Sequence, residues 1–138
     1  MRVLRSPGVR VVALPEAIDT ASWQRPGGAP DDFEPLLLRF APDEVLAIGA
    51  TGVHIDDPDA IAEPEVGYVA LMFPVDEFFD VVLPRIEWPA PDERPVFTQG
   101  SVAGVPAKVY IDSTGAATLF VLAAYLDDLL PRLPVTPS

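Results

Sequence analysis

The sequence predicts an α+β domain in which antiparallel strands outnumber helices. Three observations predict it. Short runs rich in Val, Ile, Leu and Phe recur along the chain, bounded by Pro, Gly or Asp. Several of these runs follow one another with no helix between them, which favours hairpins over a parallel sheet. Two stretches, near residues 75–83 and 122–133, carry apolar residues at helical spacing. At 138 residues the chain reads as one domain over 1–138. A chain of that size buries roughly two thirds of its unfolded surface and needs no staples.

Arg10 to Leu14 is short and β-branched, and predicts a first strand. Pro15 to Trp23 suits a helical turn. Residues 24–35, Q-R-P-G-G-A-P-D-D-F-E-P, are loop by composition. Leu36 to Phe40 and Val45 to Ile48 predict a hairpin, because Pro42 fixes φ for a turn and Asp43 is a turn former. Val53 to Ile55 resumes a strand. Residues 56–65, D-D-P-D-A-I-A-E-P-E, read as an acidic connection. Val66 to Phe73 is apolar at nearly every position, as a strand buried on both faces would be. Pro74 then opens a helix with Asp76 and Glu77 in its first turn, where they favour the helix dipole. Val75, Phe78, Phe79, Val82 and Leu83 form its stripe, and Pro84 stops it. After a Pro-rich loop, Phe97 to Val102 and Val105 to Ile111 predict a second hairpin about Ala103-Gly104. Asp112 to Gly115 is a turn. Ala117 to Val121 is a strand leading into a last helix striped by Leu122, Leu126, Leu129, Leu130 and Leu133, with Pro131 ending or bending it. Residues 134–138 are expected to fray. No internal repeat is expected.

Charge and composition exclude several classes of function. The formal net charge is −12 and no Cys is present. Thiol catalysis, zinc–thiolate sites and Fe–S clusters are therefore excluded, and the lack of Cys fits a reducing cytoplasm. Lys108 is the only lysine, and the eight arginines are scattered. Without a basic cluster, neither nucleic acid nor an anionic membrane is an expected partner. The start of the chain has no signal-peptide pattern, and no apolar run is long enough to span a membrane. A basic face on a partner would complement the acidic excess.

No catalytic set emerges. Asp43 and Glu44 are adjacent, so they do not converge on one cleft as an acid–base pair must. The acids Asp56, Asp57, Asp59, Glu63 and Glu65 lack the Gly and the distal bidentate Glu of a calcium loop, and Pro58 interrupts them. They read as a solvated connection, and no metal site is expected. His54 is the only histidine and no G-x-S-x-G is present, so a Ser-His-Asp hydrolase is not supported. His54 reads as a surface or half-buried residue. Lys108 reads as a sheet-edge or solvent-face charge, and the edge is the favoured position. Phosphate-loop and dinucleotide fingerprints are absent. Trp23 and Trp88 lie in predicted loops, where a Trp is either tucked onto a core or part of a partner interface.

The segment L-R-F-A-P-D-E-V-L-A-I-G (Leu38 to Gly49) resembles the L-x-L-G-P-D-E-W-L-L segment of the sarcosine oxidase gamma subunit family. Val66 to Leu83 is similar to that family's strand and short helix. F-T-Q-G-S-V-A-G-V-P-A-K-V-Y-I (Phe97 to Ile111) is similar to its hairpin, and L-F-V-L-A-A-Y-L-D-D-L-L (Leu119 to Leu130) to its closing strand and helix. The similarity covers about residues 36–133. Val45 stands where the family carries Trp.

The resemblance implies an aminomethyltransferase-like fold, a relative of the ferredoxin-like folds, with a small antiparallel sheet and two main helices packed on one side. It implies a non-catalytic accessory or assembly subunit that meets larger flavoprotein or folate-binding subunits. It carries no catalytic residue and no resident cofactor to this chain. The alternative within the same fold is a stand-alone domain that holds a folate-like ligand. Tyr68, Phe73, Trp88 and Tyr110 are the candidate walls for such a ligand.

Overall fold

Residue contacts divide the chain into two units, Ser6–Glu65 and a second built from Met1–Arg5 and Val66–Ser138. The computed structural model describes residues 1–135. It is a mixed α+β structure of antiparallel sheets with a few short helices. In chain order the strands are β1 (Arg2–Leu4), β2 (Gly8–Val12), β3 (Ser22–Gln24), β4 (Leu36–Ala41), β5 (Glu44–Ile48), β6 (Gly52–His54), β7 (Ile61–Pro64), β8 (Tyr68–Phe73), β9 (Val96–Val102), β10 (Val105–Ile111) and β11 (Ala117–Leu122). The α-helical turns are α1 (Pro15–Asp19), α2 (Val75–Glu77) and α3 (Leu126–Leu129). Among the described residues, no helix is long and apolar enough to cross a membrane.

The unit Ser6–Glu65 holds a four-stranded sheet ordered β4-β5-β2-β7 and the two-stranded pair β3-β6. Strict alternation in β2 sends Val9 and Val11 inward, where they pack with Ala13, Ile18, Val45 and Ala47. The predicted first hairpin forms as β4 and β5, with Pro42-Asp43 at its corner. The Arg39 guanidinium fastens that corner. It donates to the Pro42 carbonyl at 2.8 and 3.1 Å, to the Pro15 carbonyl at 3.2 Å and to Asp19 at 2.9 Å.

Three expectations change in this unit. The first strand begins at Gly8 and ends at Val12, which leaves Leu14 to cap α1. The helical turn from Pro15 stops at Asp19, and Ser22–Gln24 becomes a strand paired with Gly52–His54. The acidic connection contributes β7, which pairs with β2. All four β7 residues are exposed, so this strand is recruited by backbone hydrogen bonds to an open sheet edge, without an apolar face. Asp57 supports the approach to it: its carboxylate accepts from the Leu14 amide at 3.0 Å and the Asp59 amide at 2.9 Å.

The other unit holds a five-stranded sheet ordered β1-β8-β11-β10-β9, antiparallel throughout. The predicted second hairpin forms as β9 and β10. Its two turn residues both have positive φ, 49° at Ala103 and 80° at Gly104, the geometry that matches strand twist in a two-residue turn. One sheet face presents Val69, Leu71, Phe73, Val109, Ile111 and Leu119, and these share a core with Phe78, Val82, Leu126 and Leu129 of the helical segments. Strand β1 was not foreseen, because three residues led by an exposed Arg carry no pattern. The predicted strand at Val66 begins at Tyr68. Its positions Val69, Ala70 and Leu71 are buried, and Met72 is 38% exposed.

The prolines reshape both helical segments. After α2 the chain widens into a π turn over Phe78–Val82 and tightens into a 3-10 turn over Leu83–Arg85. Pro84 therefore sits inside a helical turn, not after the last one. It lacks an N–H and crowds the preceding turn, so a regular α-helix cannot run through it. The Arg85 guanidinium donates to the Val81 carbonyl at 2.6 Å where the ladder lapses. Likewise α3 is only one turn and passes into a 3-10 turn, Leu130–Arg132, that contains Pro131.

Side by side, these two segments show a short common stretch. F-F-D-V-V-L-P-R-I (Phe78 to Ile86) and Y-L-D-D-L-L-P-R-L (Tyr125 to Leu133) share an acid, an apolar pair and Leu-Pro-Arg, and each comes soon after a central strand. Their arginines meet at the β9–β10 turn. Arg85 donates to the Arg132 carbonyl at 3.2 Å, and Arg132 donates to the Ala103 carbonyl at 2.7 Å. The Gly104 amide donates to the Glu87 carboxylate. Beyond Leu133, Val135 packs against the core of this unit. The remainder of the expected frayed tail, residues 136–138, lies outside the described residues.

The turn after β10 allows a pH prediction. Asp112 accepts from the Thr114 hydroxyl at 2.5 Å and the Thr114 amide at 2.8 Å. These bonds, the hydroxyl's first, hold its pKa below the ordinary carboxylate value. The stabilisation is therefore complete above about pH 4 and is lost as pH falls through the lowered native value. In Thr114→Val the Asp112 midpoint, followed by carboxyl NMR, is expected to move up. An unchanged midpoint contradicts the assignment.

Candidate functional site

The face of the five-stranded sheet opposite its helical core carries the most distinctive side chains. Alternation on β10 turns Val105, Ala107, Val109 and Ile111 into the core and Pro106, Lys108 and Tyr110 to the other side. Register then sets the neighbours. Lys108 lies opposite Gln99 on β9 and opposite Phe120 on β11, while Leu122 lies opposite Tyr68 on β8. The Lys108 ammonium donates to Gln99 Oε1 at 2.6 Å and stands 5.9 Å from the centre of the Tyr68 ring. Tyr68, Gln99, Gly100, Pro106, Ala107, Lys108 and Leu122 line a cleft of about 260 Å³. A cation, an amide and a phenol ring over apolar walls can hold an anionic group with an apolar body.

A second cleft, of about 470 Å³, lies within Ser6–Glu65. Ile18, Trp23, Leu37 and Val45 give it apolar walls, and Asp19, Glu34 and Arg39 give it polar ones. Its arginine is engaged by Asp19 and by two carbonyls, as described for the hairpin corner.

The four expected ligand walls do not share one face. Tyr68 and Tyr110 lie on the cleft side of the sheet. Phe73 is 2% exposed in the helical core. Trp88 packs against that same core, and its indole N–H donates to the Thr98 hydroxyl at 2.9 Å. The indole lies flush on Gly100, where any Cβ would collide with it. Trp23 is half-buried on β3, packed against the Val9–Val45 core and open to the second cleft. Gln99 and Leu122 were not singled out from the sequence. Gln99 was readable, since a two-residue turn at Ala103-Gly104 sets Gln99 opposite Lys108. The sheet-edge position favoured for Lys108 is corrected: β10 lies between β9 and β11, so the lysine stands on a face of an interior strand.

The remaining candidates stay apart. Asp43 is exposed at the hairpin corner, and the Glu44 carboxylate accepts from Arg10 Nε at 2.6 Å. Burial alone would lower the Arg10 pKa, but the bond to Glu44 and the charges of Glu44, Glu65 and Glu63 raise it above its usual value. His54 is exposed at the end of β6. Among the described residues, no three His, Cys, Asp or Glu side chains group so as to hold a metal ion.

Fold and cleft together define an α+β protein with antiparallel sheets and a lysine-bearing hollow on one sheet face. Scans against protein-family models, curated proteins and solved structures found no match for the chain.

Proposed function

We propose that this protein is a non-catalytic accessory subunit, similar in role to the gamma subunit of a heterotetrameric sarcosine oxidase, which docks on larger flavoprotein or folate-binding subunits. The observation that supports it is the exposed outer side of the helical segment after β8. Val75 and Phe79 are one turn apart and 42% and 65% exposed. Phe78, the neighbour of Phe79, is buried at 3%, so the segment satisfies its own core and still presents an aromatic to solvent. Aromatic residues are enriched in the buried centres of interfaces. The helical segment that shares the core of the five-stranded sheet is also what an aminomethyltransferase-like fold would place there. Acidity adds a second contribution. Residues 6–65 hold 12 acids against three arginines, a net of −9, whereas the other unit holds nine acids against six cations. Such an imbalance steers a partner with a basic face.

The experiment is co-purification. The tagged chain, expressed at native level in its own host, is expected to bring down a larger protein with bound flavin, read by its absorbance spectrum. Recovery of the chain alone, without flavin, contradicts the proposal.

A further inference from the structure

The geometry points to a second capability, independent of the accessory role: we propose that the cleft over β8, β9, β10 and β11 binds a small organic monocarboxylate with an apolar body. Lys108 is the only lysine of a chain with net charge −12, and it sits inside a concave site. An ammonium group carries donors and no acceptor, so the oxygen of Gln99 must face it, as observed at 2.6 Å. An ammonium carries three donors, and a carboxylate oxygen in the cleft can accept a charge-assisted hydrogen bond from it. Pro106 and Leu122 supply apolar walls beside it.

Size and charge narrow the ligand further. A hollow of about 260 Å³ lies below the range of roughly 300–1,000 Å³ usual for drug-sized ligands, so its occupant is about the size of one ring. A phosphate dianion would bring two charges to an already acidic protein, and the cleft contains no Arg to clamp it. Monocarboxylates are favoured over phosphates for that reason.

The test uses benzoate as the probe and benzamide as its uncharged counterpart, each titrated into the full-length chain by NMR. Benzoate at millimolar concentration is expected to shift the resonances of Lys108, Gln99 and Leu122, with benzamide binding about tenfold weaker. Lys108→Met is expected to abolish that preference with the melting temperature unchanged, and Lys108→Arg to retain most of it. No shift with benzoate, equal binding of the two probes, or undiminished preference in Lys108→Met overturns the proposal. Inorganic phosphate that displaces benzoate at equal concentration overturns the choice of a monocarboxylate. None of these outcomes depends on whether a flavoprotein partner is found.

Discussion

Gly8→Ala is expected to destabilise the protein by about 3 kcal/mol, because an alanine methyl at this position has nowhere to go. Gly8 opens β2 and pairs with Ile48 of β5. A Cβ there would run into the Ala47 carbonyl oxygen and its carbon, and both belong to a backbone held in the same ladder. A flexible side chain could move aside, but a paired strand cannot do so without giving up its register. The Gly8 carbonyl also accepts from the Glu65 amide at 2.8 Å, so a shift of β2 at this point disturbs the end of β7 as well. The melting temperature is expected to drop by roughly 10 °C. Gly27→Ala is the control, since nothing lies within 4 Å of its added Cβ. It is expected to change stability by less than about 0.5 kcal/mol. Equal melting temperatures for the two variants would refute the close approach of β2 and β5.

Leu71→Ala carries the second large effect. Leu71 and Leu119 face each other across β8 and β11, and each is 0% exposed. Truncating either leaves a cavity in the core shared by sheet and helical segments, at about 3–4 kcal/mol. Folded domains are stable by only about 5–15 kcal/mol, so either variant uses a large share of the total. Because the two side chains touch one cavity, Leu71→Ala/Leu119→Ala is expected to cost less than the sum of the single variants. Chemical denaturation of the four proteins measures this. Strict additivity would place the two leucines in separate environments.

Much of the fold was legible where side-chain pattern and backbone geometry agree. In β10 the alternation of Val105, Ala107, Val109 and Ile111 with Pro106, Lys108 and Tyr110 states both faces outright. Pro42-Asp43 and Ala103-Gly104 mark the two hairpin corners, and the strands on either side follow. What escaped was structure decided by neighbours. Strand β7 is Ile-Ala-Glu-Pro, poor in β-formers, and exists because β2 offers an edge. Strand β1 is three residues that pair with β8. The helical segments carried the right apolar stripe, but Pro84 and Pro131 break them into short turns of different pitch.

The candidate site was legible only in part. Tyr68 and Tyr110 could be chosen as aromatic residues in strands, but the face each takes depends on register. Phe73 falls on the core face with Val69 and Leu71 by alternation along β8, and Trp88, outside any strand, packs onto the same core. Lys108 drew notice as a lone lysine, yet its meaning depends on Gln99 and Tyr68, which approach it from two other strands. The shared Leu-Pro-Arg of residues 83–85 and 130–132 was visible in the sequence. Its importance lies in the contacts of Arg85 and Arg132 around one turn, and those belong to three dimensions.

The accessory role is tested most directly at Phe79. A photo-crosslinking amino acid at this position, in the full chain at native expression level, is expected to form a covalent adduct with a larger flavin-containing subunit on illumination. The same probe at buried Val82 is expected to form none. An adduct only with a second copy of this chain, or no adduct at Phe79 at all, would contradict the account.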